Sequence, residues 1–156
     1  MDDRLFRNAM GKFATGVTVV VTETEGKPHG MTANAFMSVS LDPKLVVISI
    51  KENAKILPKI QQSGKFSVNI LAQDQQEISM VFAGQIKDKE VPFDRLEDQP
   101  IIPGALANVT CEVSAEHVEG DHTLFIGKVT GIELNEGEPL LFFNGRYREL
   151  SVLIEA

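Results

Sequence analysis

Hydrophobic and polar positions repeat with two different periods along this chain, and each change of period marks an element. Leu5, Phe6, Ala9, Met10 and Phe13 fall on one helical face, with Asp2 or Asp3 able to cap it and Gly11 or Gly16 able to end it. The spacing predicts a short amphipathic lid helix. From Val17 to Thr22 the residues are β-branched, and Glu25-Gly26-Lys27-Pro28 is a turn before a second extended stretch, so the two runs read as a hairpin. Asp42-Pro43 breaks the chain before Leu45 to Ile50, a nearly continuous apolar run of buried-strand character.

Helical spacing returns over Ala54 to Gln62, at Ile56, Leu57 and Ile60, with Pro58 tolerable near the first turn and Gly64 as the stop. Phe66, Val68 and Ile70 alternate with Ser67 and Asn69, the pattern of a strand with one buried face. Gln73 to Ala83 reads as a second helix with Ile78, Val81 and Phe82 inward. Gly84 to Pro103, charged and broken by Pro92, Pro100 and Pro103, reads as a long surface excursion. The last third is strand-rich: Ala105 to Val118, a Gly120-Asp121 turn, His122 to Leu134, Leu140 to Phe143, and Tyr147 to Leu150 after Asn144-Gly145. Six or seven short strands, two or three helices and no alternating βαβ order predict a mainly β fold, an antiparallel barrel with short capping α-helices. One domain spanning 1–156 is expected, since a chain of this length can bury a sufficient core without staples.

Composition narrows the function classes. With 43% apolar and 24% charged residues the chain reads as an ordinary globular protein. A net charge of −7 argues against nucleic acid or anionic membrane as partners, because both require a basic face. Cys111 is the single cysteine, which excludes an intrachain disulfide and favours the cytoplasm. It sits mid-strand and reads as a buried small hydrophobe. No signal core and no membrane-length apolar run are apparent, so a protein neither exported nor anchored is expected.

The chemistry is defined first by what is missing. No Gly-x-Gly-x-x-Gly follows a strand, no phosphate loop is present, and His29, His117 and His122 lack metal-ligand spacing. What stands out is the small-residue segment Gly30-Met31-Thr32-Ala33-Asn34-Ala35-Phe36-Met37-Ser38-Val39-Ser40. Small side chains let a flat ligand lie against the backbone, while amides and the hydroxyls of Thr32, Ser38 and Ser40 can bond its polar edge. The same residues also suit a strand and loop whose packing merely limits side-chain size.

Taken with its surroundings the segment becomes specific. The run Phe6 to Val20, then Gly30 to Ser40, then Gly120-Asp121-His122-Thr123-Leu124-Phe125-Ile126-Gly127-Lys128-Val129, closely resembles the flavin reductase-like family over nearly the whole chain. Within it the order and spacing look most like the reductase components of phenol and 4-hydroxyphenylacetate hydroxylases. The resemblance implies an FMN-binding split barrel working as a homodimer. It implies FAD or FMN as cofactor, NADH or NADPH as co-substrate, and a separate aromatic-hydroxylating, flavin-dependent oxygenase that receives reduced flavin, if only by diffusion.

Carried over residue by residue, the resemblance lays Met31, Thr32, Ala33, Asn34 and Ala35 along the isoalloxazine edge and Ser38, Val39 and Ser40 near the ribityl and phosphate portion. Ser49 and Ile50, with Asn53, Ala54 and Lys55, look like a second phosphate-binding wall; there Asn53 could cap a helix beginning near Ala54 and leave amides and Lys55 free for an anion. Phe82, Ala83 and Gly84 look like the family's turn beside the flavin, and equally fit a plain helix C-cap. His122 matches the histidine at the nicotinamide site, with Arg146 and Tyr147 as further contacts; a turn-stabilising histidine and a solvated arginine are the plain alternatives. Ala35 stands at a position open to Ser in relatives, which bears on flavin affinity.

The implied reaction is hydride transfer from nicotinamide C4 to flavin N5, which needs alignment more than an acid or base, so no obligatory catalytic side chain and no metal are expected. A module that binds flavin without turnover is the alternative in another class. An oxidase of a phosphorylated, vitamin-like amine is a third; it calls for clustered cations, and the lysines here are scattered.

Overall fold

The structure, a computed structural model, describes residues 1–151 and Ile154; the part of the single-domain expectation that covers 152, 153, 155 and 156 lies outside the described residues. In chain order the elements are α1 (Asp3–Gly11), β1 (Thr15–Gly16), β2 (Thr18–Thr24), β3 (Lys27–Ala33), β4 (Phe36–Leu41), β5 (Lys44–Lys51), α2 (Ile56–Ser63) and β6 (Lys65–Ile70). A 3₁₀ turn (Gln73–Gln75), α3 (Gln76–Phe82), β7 (Asp94–Leu96), β8 (Gln99–Ile101), β9 (Ala107–Glu119), β10 (His122–Leu134), β11 (Leu141–Phe143) and β12 (Arg146–Arg148) complete it.

Seven strands form one antiparallel sheet in the order β3-β2-β6-β9-β10-β5-β4. Its two edge strands are consecutive in the chain and are joined only by Asn34 and Ala35. The sheet must therefore curl until its edges meet at that junction, which makes it a split antiparallel barrel. Val20, Ile48, Ile50, Phe66, Val68, Cys111 and Phe125 fill the inside, and α2 adds Ile56 and Ile60 to the same core. Each such side chain contributes about 1.5–3 kcal/mol through burial. Cys111 is fully buried, and burial pushes its thiol up to about 12.

The β-branched run over β2 is buried on both faces. Val20 joins the barrel core, while Val17, Val19 and Val21 join a second cluster with Leu71, Ile102 and Leu140. Ile78, Phe82, Phe93, Phe142 and Tyr147 pack against that second cluster. This explains why the run carries no polar alternation.

Several expectations are corrected. Of the six or seven expected strands, those matching β2, β3, β5, β6, β9 and β10 lie in the large sheet, whereas Leu140 to Phe143 and Tyr147 to Leu150 supply β11 and β12 of a small one; β4, which closes the large sheet, and the short β1, β7 and β8 are not among the expected strands. Asn53 does not cap α2: an amide bond from Ala54 to the Lys51 carbonyl (3.0 Å) puts it inside an exposed turn. The helix starts at Ile56, with Lys55 at the cap position and no side-chain cap bond. Gly64 does end it, in the left-handed conformation at φ 69°.

Ser67 and Asn69 do not face water. Both are fully buried, because the second half of the expected surface excursion folds back as the β7-β8 hairpin over β6. Ser67 Oγ donates to the Pro100 carbonyl (2.8 Å), Asn69 Oδ1 accepts from the Ile102 amide (3.0 Å) and from Asn108 Nδ2 (2.8 Å), and no buried side-chain polar atom lacks a partner among the described residues. The polar positions of β6 thus stitch a loop to the barrel. The amphipathic helix forms, capped by Asp2 on the Arg4 amide (3.0 Å), yet none of its residues is buried. Leu5, Phe6, Met10 and, just beyond it, Phe13 stay exposed.

Candidate functional site

The Asn34-Ala35 junction is where the barrel opens, and the site is built outward from it. Both residues are exposed, and the strands on either side of them are sheet edges whose outer backbone groups have no sheet partner. On β3 the side chains alternate between two neighbours. Met31 and Ala33 pack against the barrel core, while Thr32 and Gly30 turn to α3. The Thr32 hydroxyl donates to the Ser79 carbonyl at 2.6 Å, so it is committed within the fold and not spare for a ligand edge.

Gly30 is small for an internal reason: a Cβ there would lie 2.6 Å from Phe82 Cδ1. Phe82 belongs to the second core cluster and meets Phe93 at 6.0 Å between ring centres. Ala83 and Gly84 follow as an exposed C-terminal cap, with Gly84 at φ 80° and its amide on the Val81 carbonyl (3.1 Å). A Cβ at Gly84 would touch nothing within this chain, so its glycine serves the left-handed turn.

Across the junction, the Ser49 amide donates to the Ala35 carbonyl (3.2 Å), and Ser49 stands opposite Leu124 on β10. Continuing along β5, Ile50 pairs with Thr123 and Lys51 with His122. The Glu52 amide then donates to the Asp121 carbonyl at 2.9 Å, which ties the Gly120-Asp121 turn to the loop carrying Asn53, Ala54 and Lys55. Asn53 and Lys55 are exposed, and Ala54 packs against the barrel core. At the start of α2 the Leu57 amide donates to the Ala54 carbonyl (3.2 Å) and Pro58 has no N–H, so the exposed Lys55 ammonium is the group there suited to an anion.

His122 Nδ1 lies 2.8 Å from Asp121 Oδ1. The hydrogen bond with His122, helped by the His122 and Lys51 charges, holds the Asp121 carboxyl below its ordinary range. Ala35, Ser49, Asn53, Lys55 and His122 thus share one end of β5.

Ser38, Val39 and Ser40 lie toward the other end. Ser38 pairs with Val46 and Ser40 with Leu45, with Val39 as the extra residue of a bulge. At about 3.3 Å per residue, Val46 and Lys51 are roughly 17 Å apart along the strand. Within one chain the two expected phosphate walls therefore do not face each other.

Arg146 and Tyr147 belong to the β11-β12 hairpin, whose Asn144-Gly145 turn has both residues at positive φ (54° and 75°). The Tyr147 hydroxyl meets Ser79 Oγ at 2.7 Å and its ring stands edge-on to Phe142 at 5.4 Å, so Tyr147 is anchored in the second core; Arg146 is exposed. Beside this turn lies a pocket of about 300 Å³ lined by Phe6, Arg7, Met10, Phe13, Asn34 and Phe142 among others. It borders the junction through Asn34.

The pattern gave no site role to Ser79, which holds both Thr32 and Tyr147, or to the α1 residues around the pocket, of which Phe6 and Met10 stood out there only as part of a lid-helix stripe. The unburied apolar stripe of α1 carried that signal; Ser79, lying between Ile78 and Met80, carried none.

A curled antiparallel sheet with an open seam, small side chains at the seam and a histidine beside it define a split barrel open to a flat ligand. The model of the flavin reductase like domain matches residues 10–151, and the chain belongs to that family. It is 46% identical over 151 residues to an NADH-dependent flavin reductase of Rhodococcus sp, covering 94% of this chain and 86% of that one. It is 41% identical over 146 residues to the reductase component of 4-hydroxyphenylacetate 3-monooxygenase from Thermus thermophilus, covering 93% and 95%. A solved structure of the flavin reductase PheA2 in its native state superposes with a TM-score of 0.96 at 62% identity, covering 97% of this chain and all of that one.

Proposed function

We propose that this chain is an NADH-dependent flavin reductase that supplies reduced FAD or FMN to a separate flavin-dependent, aromatic-hydroxylating oxygenase. The observation that carries the reading is the barrel seam at Asn34-Ala35, bordered by Ser49, the α2 start and His122. It is supported by relatives named for NADH-dependent flavin reduction and for the reductase component of a two-component monooxygenase.

The residues present fit a flavin. Edge backbone groups of β3 and β4 can bond the polar rim of the ring system, Ala35 leaves room for its face, and the exposed Lys55 can meet a phosphate. Met31 to Ala33 contribute through backbone, since their side chains are engaged elsewhere. Ser38 to Ser40, Ile50, Asn53, Ala54 and Phe82 to Gly84 complete the proposed flavin set, and His122, Arg146 and Tyr147 the nicotinamide set. Bound flavin and nicotinamide supply the redox chemistry themselves, by hydride transfer between their rings. The chain holds the rings in register and keeps the seam open for exchange.

We further propose one domain acting as a homodimer in the cytoplasm. Exposed Leu5, Phe6, Met10, Phe13, Met37, Val39 and Leu41 offer the apolar area that a second copy would cover. Among the described residues, no helix is long and apolar enough to cross a membrane.

Steady-state rates with each pairing of FAD or FMN with NADH or NADPH test the reading, after the absorption spectrum of the purified protein is recorded. NADH loss that requires both protein and flavin is expected. Flavin binding with NADH loss no faster than without protein would assign the chain to a storage module instead.

A further inference from the structure

If His122 receives the nicotinamide, something must hold its ring, and the same turn supplies it. His122 Nδ1 is 2.8 Å from Asp121 Oδ1, and an ionised carboxylate can only accept. The proton of that contact therefore sits on Nδ1. In a neutral imidazole this leaves Nε2 bare as an acceptor, and among the described residues nothing bonds it. The side chain is 40% exposed, enough for a ligand to reach Nε2.

The turn is not free to drift. Gly120 adopts φ 62°, and the Glu52 amide grips the Asp121 carbonyl at 2.9 Å. The other charged residues around His122 are Lys51 on β5 and Glu119 on β9, its two cross-strand partners.

We propose that Asp121 is a positioning residue for nicotinamide recognition: it fixes the Nδ1–H tautomer of His122 and thereby presents Nε2 as an acceptor for the carboxamide N–H of the nicotinamide. This rests on the placement of nicotinamide at His122. The tautomer matters because a carboxamide has a donor end and an acceptor end. An imidazole showing N–H at Nε2 would meet the carbonyl instead and turn the amide around.

Two readouts on the full-length protein test it. Imidazole ¹⁵N shifts in nucleotide-free protein report the tautomer, with the His122 signals assigned by their absence from H122A. Steady-state kinetics at saturating flavin report recognition. The wild type is expected to be protonated at Nδ1. Asp121→Ala should move His122 toward the Nε2–H form and raise the KM for NADH about two- to five-fold, the scale of an exposed ionic contact, with kcat changing less. Asp121→Asn, whose amide can offer either oxygen or N–H₂ to Nδ1, should fall between.

A wild-type ¹⁵N pattern in Asp121→Ala would overturn the proposal, and so would a changed tautomer with an unchanged KM. His122→Ala separates the two levels. If it raises KM while Asp121→Ala does not, the role of Asp121 fails alone; if it leaves KM unchanged, the nicotinamide placement fails and takes the proposal with it.

Discussion

Gly30→Ala separates two reasons for a small residue in the Gly30 to Ser40 segment. If Gly30 exists to let a ligand approach, alanine should weaken flavin binding and leave folding alone. The structure assigns it the other reason. The new Cβ would stand 2.6 and 2.7 Å from Phe82 Cδ1 and Cε1, closer than real Cβ atoms come to their neighbours, and 3.3 Å from Cγ, which is tight. The ring cannot swing away freely, because it packs in the second core and against Phe93. Overpacking of this kind costs about 1–3 kcal/mol. For a chain of 156 residues that lowers Tm by about 2–10 °C.

Thermal unfolding followed by circular dichroism measures the shift. The control is Gly30→Ala with Phe82→Leu, where the smaller side chain makes room. The double variant should be more stable than the sum of the single losses predicts, with a coupling of about 0.5–3 kcal/mol. A Gly30→Ala protein with wild-type Tm, or a double variant whose losses simply add, would refute the packing argument.

Ala35→Leu places bulk on an exposed residue at the seam, so flavin KM should rise at least tenfold while Tm stays within about 1–2 °C, as for ordinary surface changes; unchanged flavin kinetics would move the ring elsewhere. His29 gives a pH dependence. Burial, then Lys59 and Lys27, hold its imidazole below the ordinary 6.5, so the unfolded chain takes the proton first. The stability tied to neutral His29 is therefore full above 6.5 and is lost as pH falls from there to the lower folded value. His29→Gln should flatten that part of a stability-against-pH curve, measured by urea unfolding; an unaltered slope contradicts the assignment.

The strands, the hairpin turns and the end of α2 were legible because each rests on local pattern: β-branched runs, Asn144-Gly145, and Gly64 beyond the last apolar helical position. The fate of 84–103 was not. Its prolines and charges read as surface, whereas the buried partners of Gln99, Pro100 and Ile102 are Cys111, Ser67, Asn69 and Asn108, which no local window joins to them. The same limit applies to the site. Small residues at 30–35 were visible, but that Gly30 answers Phe82, Thr32 answers Ser79, and only Asn34 and Ala35 are left exposed depends on contacts about 50 residues apart. Register decides the rest: Ser49, Lys51 and His122 meet because β5 pairs with β10, while the bulge at Val39 and the antiparallel run of β4 carry Ser38 and Ser40 away from them.

The central claim is that the seam at Asn34-Ala35 brings flavin and nicotinamide together for reduction. Anaerobic mixing of the protein with FAD or FMN and NADH, followed by loss of the flavin's visible absorption band, tests it most directly. Bleaching far faster than in the protein-free mixture is expected, with His122→Ala needing more NADH for the same rate. Bleaching no faster than without protein, or fully retained at wild-type NADH concentrations in both His122→Ala and Ala35→Leu, would contradict it.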